Sequence, residues 1–306
     1  MSIVVCRLPN AGLGNHLFPL MNALVFGKLN NLPVIIIGYH QLKIGPYLRK
    51  EKIKRKYNGY FTFQKNIIGE TYDKARVFIS TKLFETVKEP AVEKIAGKVP
   101  SKKLYLFEKL PTYHNYFIHL KGHRKLVKEL LYSVINPAIL AEVEISPKPI
   151  IGVHIRMGDF RKLKQGEDFS RVGHVRTPEY YFIDIVNAIR KISGENLPVS
   201  LFTDGYRQEF EEIFSLDNVT MIEGNTDIVD LLLLSRSSIL IAANGSTFSY
   251  WAGFLADAPL IKHPDHLHAS FRPDEINKHF YEGPMLHDAI DLLLIKNIRS
   301  IIAQKP

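Results

Sequence analysis

The chain reads as an α/β protein built on parallel sheet, and three observations predict this. Short apolar runs such as Ile3–Cys6, Ile150–Ile155, Val199–Phe202 and Ser238–Ala243 have the length and composition of buried strands. Segments with apolar residues at helical spacing separate them, the order that gives β-α-β units. Several of the runs empty into loops of glycine, polar and ionisable residues, the usual position of ligand sites in open α/β sheets.

At 306 residues, 46% hydrophobic and 23% charged, the chain is long and apolar enough to bury a core as two domains or one large one. Disorder would need fewer apolar residues. The net charge of +9 favours an anionic partner without choosing among nucleotide, nucleic acid and anionic membrane surface. A single cysteine, Cys6, excludes an internal disulfide and a cysteine-rich zinc site. No N-terminal signal segment and no apolar run of membrane-spanning length is present, so a cytoplasmic protein is expected, with a peripheral contact at the inner membrane face left open.

Taken in order, the first strand leads into Arg7-Leu-Pro-Asn-Ala-Gly-Leu-Gly-Asn-His-Leu-Phe18 and then into a helix carrying Leu17, Leu20, Met21, Leu24, Val25 and Leu29. Gly12 and Gly14 mark a tight strand-to-helix loop that either presents N–H groups to an anion or only packs the helix. Leu17 stands where a third glycine would complete a dinucleotide fingerprint, so it is not one. Pro33–Gly38 is a second strand. Residues 43–56 hold seven Lys or Arg and one Glu, either a solvated face or an electrostatic footing for anionic lipid or a lipid-linked phosphate.

Arg76–Ser80 and Lys103–Phe107 read as strands, and Thr112–Phe117 as an aromatic stretch that either stacks on a sugar or joins the core. His123–Ile135 reads as a helix stopped by Asn136-Pro137, and Ala141–Pro149 as a linker. The domains are therefore expected at 1–145 and 146–306. In the second, helices are expected over Pro178–Ile192, capped by Thr177, over Thr226–Leu234, capped by Thr226, up to Leu255, and over Met285–Ile302. Strands are expected at Val219–Ile222 and from Leu260.

Two constellations carry chemistry. Strand 150–155 ends in His154, Arg156 and Asp159, with Gly158 between the last two. Arg156 can fork onto phosphate oxygens and stays charged at any working pH. The competing reading is an ordinary ion pair between Arg156 and Asp159. Asn244-Gly-Ser-Thr247 joins a buried strand to a helix, placing Ser246 and Thr247 at a helix start suited to phosphate. One such site is most simply a helix cap; two at the carboxyl ends of strands in one sheet can converge on a diphosphate. Asp230 offers a carboxylate for the N1–H and N2–H edge of guanine, and Asp204 is a second candidate for base, ribose or structural support.

Gly12-Leu-Gly-Asn-His-Leu-Phe18, Val153-His-Ile-Arg-Met-Gly-Asp159, Phe202-Thr-Asp204 and Asp230…Ala243-Asn-Gly-Ser-Thr-Phe-Ser-Tyr-Trp251 together resemble the bacterial alpha-1,2-fucosyltransferases, within the superfamily that includes alpha-1,6 and protein O-fucosyltransferases. The resemblance spans roughly 10–18 and 150–256 and leaves 40–145 unassigned. It implies a GT-B-type enzyme, two Rossmann-like halves facing a cleft, that inverts GDP-β-L-fucose to an α-fucoside on a glycan or lipid-linked glycan of a surface polysaccharide. It implies Arg156 on the β-phosphate, His154 and Asp230 at guanine, Ser246, Thr247 and Phe248 along the diphosphate, and Asn15 facing fucose or acceptor. Gly14, His16 and Asn244 belong to the same motifs.

No cofactor and no metal is expected, since no Asp-x-Asp motif is present. Asp159 is either the base for the acceptor hydroxyl or a pin for Arg156. The chain departs from the family pattern where His16 replaces Gln, where Pro19 replaces a polar residue, where Gly245 separates Asn244 from Ser246, and where Tyr250 replaces Trp. A related donor sugar, a non-catalytic nucleotide or glycan binder and a nucleic-acid binder compete with this reading. The last rests on charge alone, because 43–56 lacks interleaved aromatics.

Overall fold

A computed structural model describes residues 1–41, 43–112, 114–266, 268–286 and 288–303. The chain divides into two compact units, Met1–Lys43 with Arg55–Ala141, and Ile44–Lys54 with Glu142–Pro306. The basic segment 44–54 groups with the second unit. The cause is specific bonding: Lys52 Nζ pairs with Glu223 at 2.7 Å and the Tyr206 hydroxyl donates to Lys50 O at 3.3 Å.

In chain order the elements are β1 (Ile3–Arg7), α1 (Leu13–Asn30), β2 (Val34–Ile37), α2 (Gly45–Leu48), α3 (Ile67–Leu83), β3 (Glu85–Lys88), β4 (Lys103–Phe107), α4 (Arg124–Val134) and α5 (Pro137–Ile145). They continue with β5 (Ile151–Ile155), α6 (Glu179–Ser193), β6 (Val199–Thr203), β7 (Val219–Met221), α7 (Asp227–Ser235), β8 (Ile239–Ile241), α8 (Thr247–Leu255), β9 (Leu260–Ile261), α9 (Asp274–Asn277), β10 (Glu282–Gly283) and α10 (Leu292–Ala303).

The first unit holds a parallel sheet in the order β2-β1-β4-β3. Ile3, Val5, Ile35, Ile37, Leu104 and Leu106 form one buried face of it, covered by Val77 of α3. Arg76–Ser80, expected as a strand, lies inside α3. The helix is started by Asn66, whose side chain accepts from the Gly69 N–H at 2.9 Å, and this cap outweighs the β-propensity of the Val-Phe-Ile run. In the 112–117 stretch, Phe117 is buried against Phe18 and Tyr116 stacks on it at 5.8 Å, so these two belong to the core. Tyr113 of that stretch lies outside the described residues. Residues 141–145, expected as linker, continue α5, because Pro137 opens a new helix where it ends the old one.

The second unit holds a six-stranded parallel sheet in the order β10-β9-β8-β5-β6-β7. From β5 the chain winds to β6 and β7 on one side, then returns to lay β8, β9 and β10 on the other. The order reverses between β5 and β8, and a crevice opens at the carboxyl ends of strands at such a point. Ile151, Val153 and Ile155 are buried, as are Ile239–Ile241, so both central strands are covered on both faces. Behind the sheet edge, the Glu282 carboxylate takes Lys262 Nζ at 3.0 Å and the Phe271 N–H at 2.7 Å. Arg272, fully buried, bonds the same carboxylate and the carbonyl oxygens of Ala258 and Tyr281. This network fixes the segment between β9 and β10. The final helix starts at Leu292 rather than Met285.

Candidate functional site

The register of β5 explains the first constellation. Ile155 pairs with Thr203 of β6, so the residues that follow, Arg156 and Asp204, meet as the strands end. The Asp204 carboxylate, buried, accepts from Arg156 Nη1 and from the Met157 N–H, the latter at 2.7 Å. On its other side, Arg156 donates through Nη2 to Asp159. Burial opposes the charge on Arg156, but Asp204 and Asp159 override it and hold the guanidinium charged, above its ordinary value. Its plane lies 5.7 Å from the Phe160 ring centre. Gly158 is required here because a Cβ in its place would stand 2.3 Å from Asp204 Oδ2, inside the Arg156 pair.

His154 is buried and its ring stacks on Phe248 at 4.9 Å between centres, 27° from parallel. Burial, aided by the charge of Arg156, lowers its pKa to about 3, so the ring is neutral at any working pH. Its Nδ1 is buried without a hydrogen-bond partner among the described residues. A neutral, unsatisfied imidazole fits a ligand contact better than proton transfer.

The second constellation adjoins the first because β8 pairs with β5, Val153 opposite Ile241. Past the end of β8, Asn244 and Gly245 turn the chain and Ser246 becomes the N-cap of α8. Gly245 has φ of +66°, a left-handed conformation that favours glycine. Its N–H donates to the Tyr250 hydroxyl at 2.7 Å, and that hydroxyl meets His268 Nε2 at 3.0 Å. The Asn244 N–H donates to Thr177 Oγ1 at 3.0 Å. Two hydroxyls thus fix the turn from below. The first N–H groups of α8, at Thr247 and Phe248, have no acceptor within a helix and suit an anion. Asn244 Oδ1 is a further buried atom without a partner among the described residues.

Thr177 was expected to cap α6; Pro178 takes that position instead, and Thr177 supports the α8 turn. The role of Thr177 could not be read from the sequence, because Asn244 lies 67 residues away, and that of Tyr250 depends on how α8 folds its hydroxyl back onto the Gly245 N–H five residues before it. The only signal was the Tyr at 250 where the resembling family has Trp.

Asp230 lies in the first turn of α7, half-buried, and accepts from Asn225 Nδ2 at 2.9 Å. Burial pushes its pKa up to about 7, with Asn225 opposing. Asn15, Gly14 and His16 belong to the first unit, in the first turn of α1. There His16 is buried, with Nε2 3.3 Å from Lys43 Nζ and its ring edge-on to Tyr57. Lys43 also donates to Ala11 O at 2.7 Å and sits 3.9 Å from the Tyr57 ring centre. Burial and then the Lys43 charge lower the His16 pKa to about 3.

Residues 97–263, more than half of the chain, match the family profile of glycosyl transferase family 11. The match takes in 97–145, which the sequence motifs leave unassigned. An alpha-1,2-colitosyltransferase of Escherichia coli is 28% identical over 279 residues, covering 85% of this chain and 90% of that protein. Among solved structures, the fucosyltransferase NodZ from Bradyrhizobium is similar with a TM-score of 0.48 at 16% identity, covering 86% of this chain and 96% of that one. POFUT1 in its apo form gives 0.46 at 14% identity, covering 85% and 97%.

Proposed function

Because the chain belongs to glycosyl transferase family 11, we propose that it moves a 6-deoxy-L-hexose, L-fucose first, from a GDP-linked donor to a hydroxyl of a glycan acceptor. The observation that carries this reading is that Arg156 and the start of α8 follow the adjacent strands β5 and β8, at the point where the strand order reverses. Two anion-binding devices there share one crevice, as a diphosphate requires. An alpha-1,2 linkage within a surface polysaccharide is the finer form of the proposal. The E. coli relative, 28% identical and named for colitose, supports a second donor, the 3-deoxy counterpart of fucose.

In this mechanism the acceptor oxygen attacks the anomeric carbon as its bond to the diphosphate breaks, inverting the centre. The acceptor proton leaves to a base or solvent, and negative charge grows on the departing nucleotide. Arg156 and the N–H groups of Thr247 and Phe248 are already oriented towards that charge, so they stabilise the transition state without reorganising. They carry this charge without a metal. Asp204 and Asp159 position the Arg156 fork, and Asp159 is assigned this role rather than that of base. Asp230 and the neutral ring of His154 hold the guanine, and Asn15 of α1 is assigned to the sugar or the acceptor.

Incubation with GDP-fucose, GDP-colitose and a set of UDP-sugars, each in excess EDTA, tests the proposal. GDP release from a GDP-sugar in the presence of a glycan acceptor is expected. Release from a UDP-sugar alone, or dependence on a divalent ion, would sink the donor assignment or the metal-free step respectively. Absence of turnover with retained GDP binding would favour a non-catalytic binder.

A pH dependence follows from Asp230. Only its ionised form accepts both guanine donors, and that form is populated above about pH 7. GDP affinity is expected to fall as pH drops from 8 to 6, approaching about tenfold per unit on the acid side. The folded-state pKa is raised above the ordinary 3.8, so the unliganded fold is favoured by this group below pH 4 and loses that contribution as pH rises through about 7. Calorimetry and melting curves of Asp230→Asn should show both slopes flattened; an unchanged GDP profile would remove Asp230 from the base site.

A further inference from the structure

Helix α3 of the first unit is turned inside out. Its inward face carries Glu70, Asp73 and Val77, all buried. The acids there are satisfied: Glu70 accepts from the N–H groups of Tyr39 and His40 at 3.1 Å, and Asp73 pairs with Lys65 at 2.7 Å. Its outward face carries Ile67, Ile68, Tyr72, Phe78, Ile79 and Leu83, each between 56% and 80% exposed. At 100° per residue, Ile68, Tyr72, Ile79 and Leu83 fall within one 60° stripe, and Ile67 and Phe78 form a second apolar edge about 80–100° away, across Lys82.

Arg76 and Lys82 stand exposed among this apolar group, no acid of the helix is exposed, and Lys82 Nζ lies 5.6 Å from the Phe78 ring centre. Lys74, also exposed, pairs with the buried Glu70 at 3.2 Å. The nearest acid beyond the helix, Glu85, is paired with Lys103. Beside Phe78 opens a cavity of about 420 Å³, bordered by Arg7 and Lys74, which pair with Glu108 and Glu70. A contiguous apolar patch of this kind marks a binding surface.

We propose that α3 lies in the headgroup region of a membrane, its apolar stripe among acyl chains and Arg76 and Lys82 on anionic lipid phosphates. The chemistry selects this occupant. An apolar stripe flanked by cations without acids is the pattern of an interfacial helix. A second copy of the chain is disfavoured because a two-fold contact would press Arg76 and Lys82 against the same cations of the partner. The inference stands apart from the choice of sugar donor.

Co-sedimentation of the full chain with vesicles provides the test. Binding is expected to equimolar phosphatidylglycerol–phosphatidylcholine vesicles, to weaken at high salt, and to be nearly absent with phosphatidylcholine alone. The double variant Ile68→Glu, Ile79→Glu should lower the vesicle partition coefficient on the order of ten-fold or more while GDP binding and melting temperature are kept. Tyr72→Trp adds an independent reading, since the chain's own Trp251 is fully buried. Its emission should shift to the blue on anionic vesicles. Wild-type protein remaining in the supernatant with anionic vesicles, or equal binding of the double variant, would overturn the proposal. So would self-association of the lipid-free wild type that the double variant abolishes, which would assign the face to a second copy.

Discussion

Replacement of Arg156 by lysine is expected to lower kcat/KM for the GDP-sugar by roughly 10²–10³-fold with little change in melting temperature. The guanidinium is held at two points, Nη1 on Asp204 and Nη2 on Asp159. This double anchoring fixes the plane of the fork and therefore the direction of any N–H left for phosphate. An ammonium on a flexible stem can satisfy one carboxylate or approach the diphosphate, but it cannot keep the geometry of both. Burial near β5 is tolerated by a lysine of similar length, so the fold should persist. A GDP-release assay with a parallel thermal melt separates the two effects. Turnover close to wild type would show that Arg156 does not meet the developing charge.

Asp204→Ala should be costlier to the fold than any change at Arg156. The carboxylate is buried and holds both the Arg156 guanidinium and the Met157 N–H. Its removal leaves a largely buried cation with one partner and a buried amide with none. A loss of about 3 kcal/mol is expected in urea denaturation, together with a fall in turnover comparable to that of Arg156→Lys. Asp204→Asn discriminates between the two roles. It can still accept from Met157 N–H, so stability should largely return, whereas the charge that orients Arg156 does not. Wild-type turnover in Asp204→Asn would mean that the fork is set by Asp159 and packing alone.

Much of the second unit was legible in the linear chain. The strands from Ile151, Val199, Val219, Ile239 and Leu260 announce themselves as short apolar runs, and parallel pairing follows from the helices between them. The motif residues lie where such strands end. Misreadings arose where composition was outweighed by a hydrogen bond or a distant partner. Val77-Phe-Ile79 has the composition of a strand, yet its helix is set by the Asn66 cap and by Glu70 turned inward to the backbone N–H groups of Tyr39 and His40. Thr177 looks like a cap in sequence and serves instead as the acceptor for Asn244, 67 residues away.

By itself, then, the sequence determined the α/β class, the two strand-end loops that carry the candidate site residues and the family, since these rest on periodicity and on residue types adjacent along the chain. Only the tertiary structure decided what each ionisable group is. The register of β5 against β6 makes Asp204 the partner of Arg156, and Asp159 closes the fork from the other side. Burial makes His154 and His16 neutral and brings Asp230 to titrate near pH 7. Charge state and hydrogen-bond partner depend on what surrounds a group in space, and that is fixed only when strands and helices have packed.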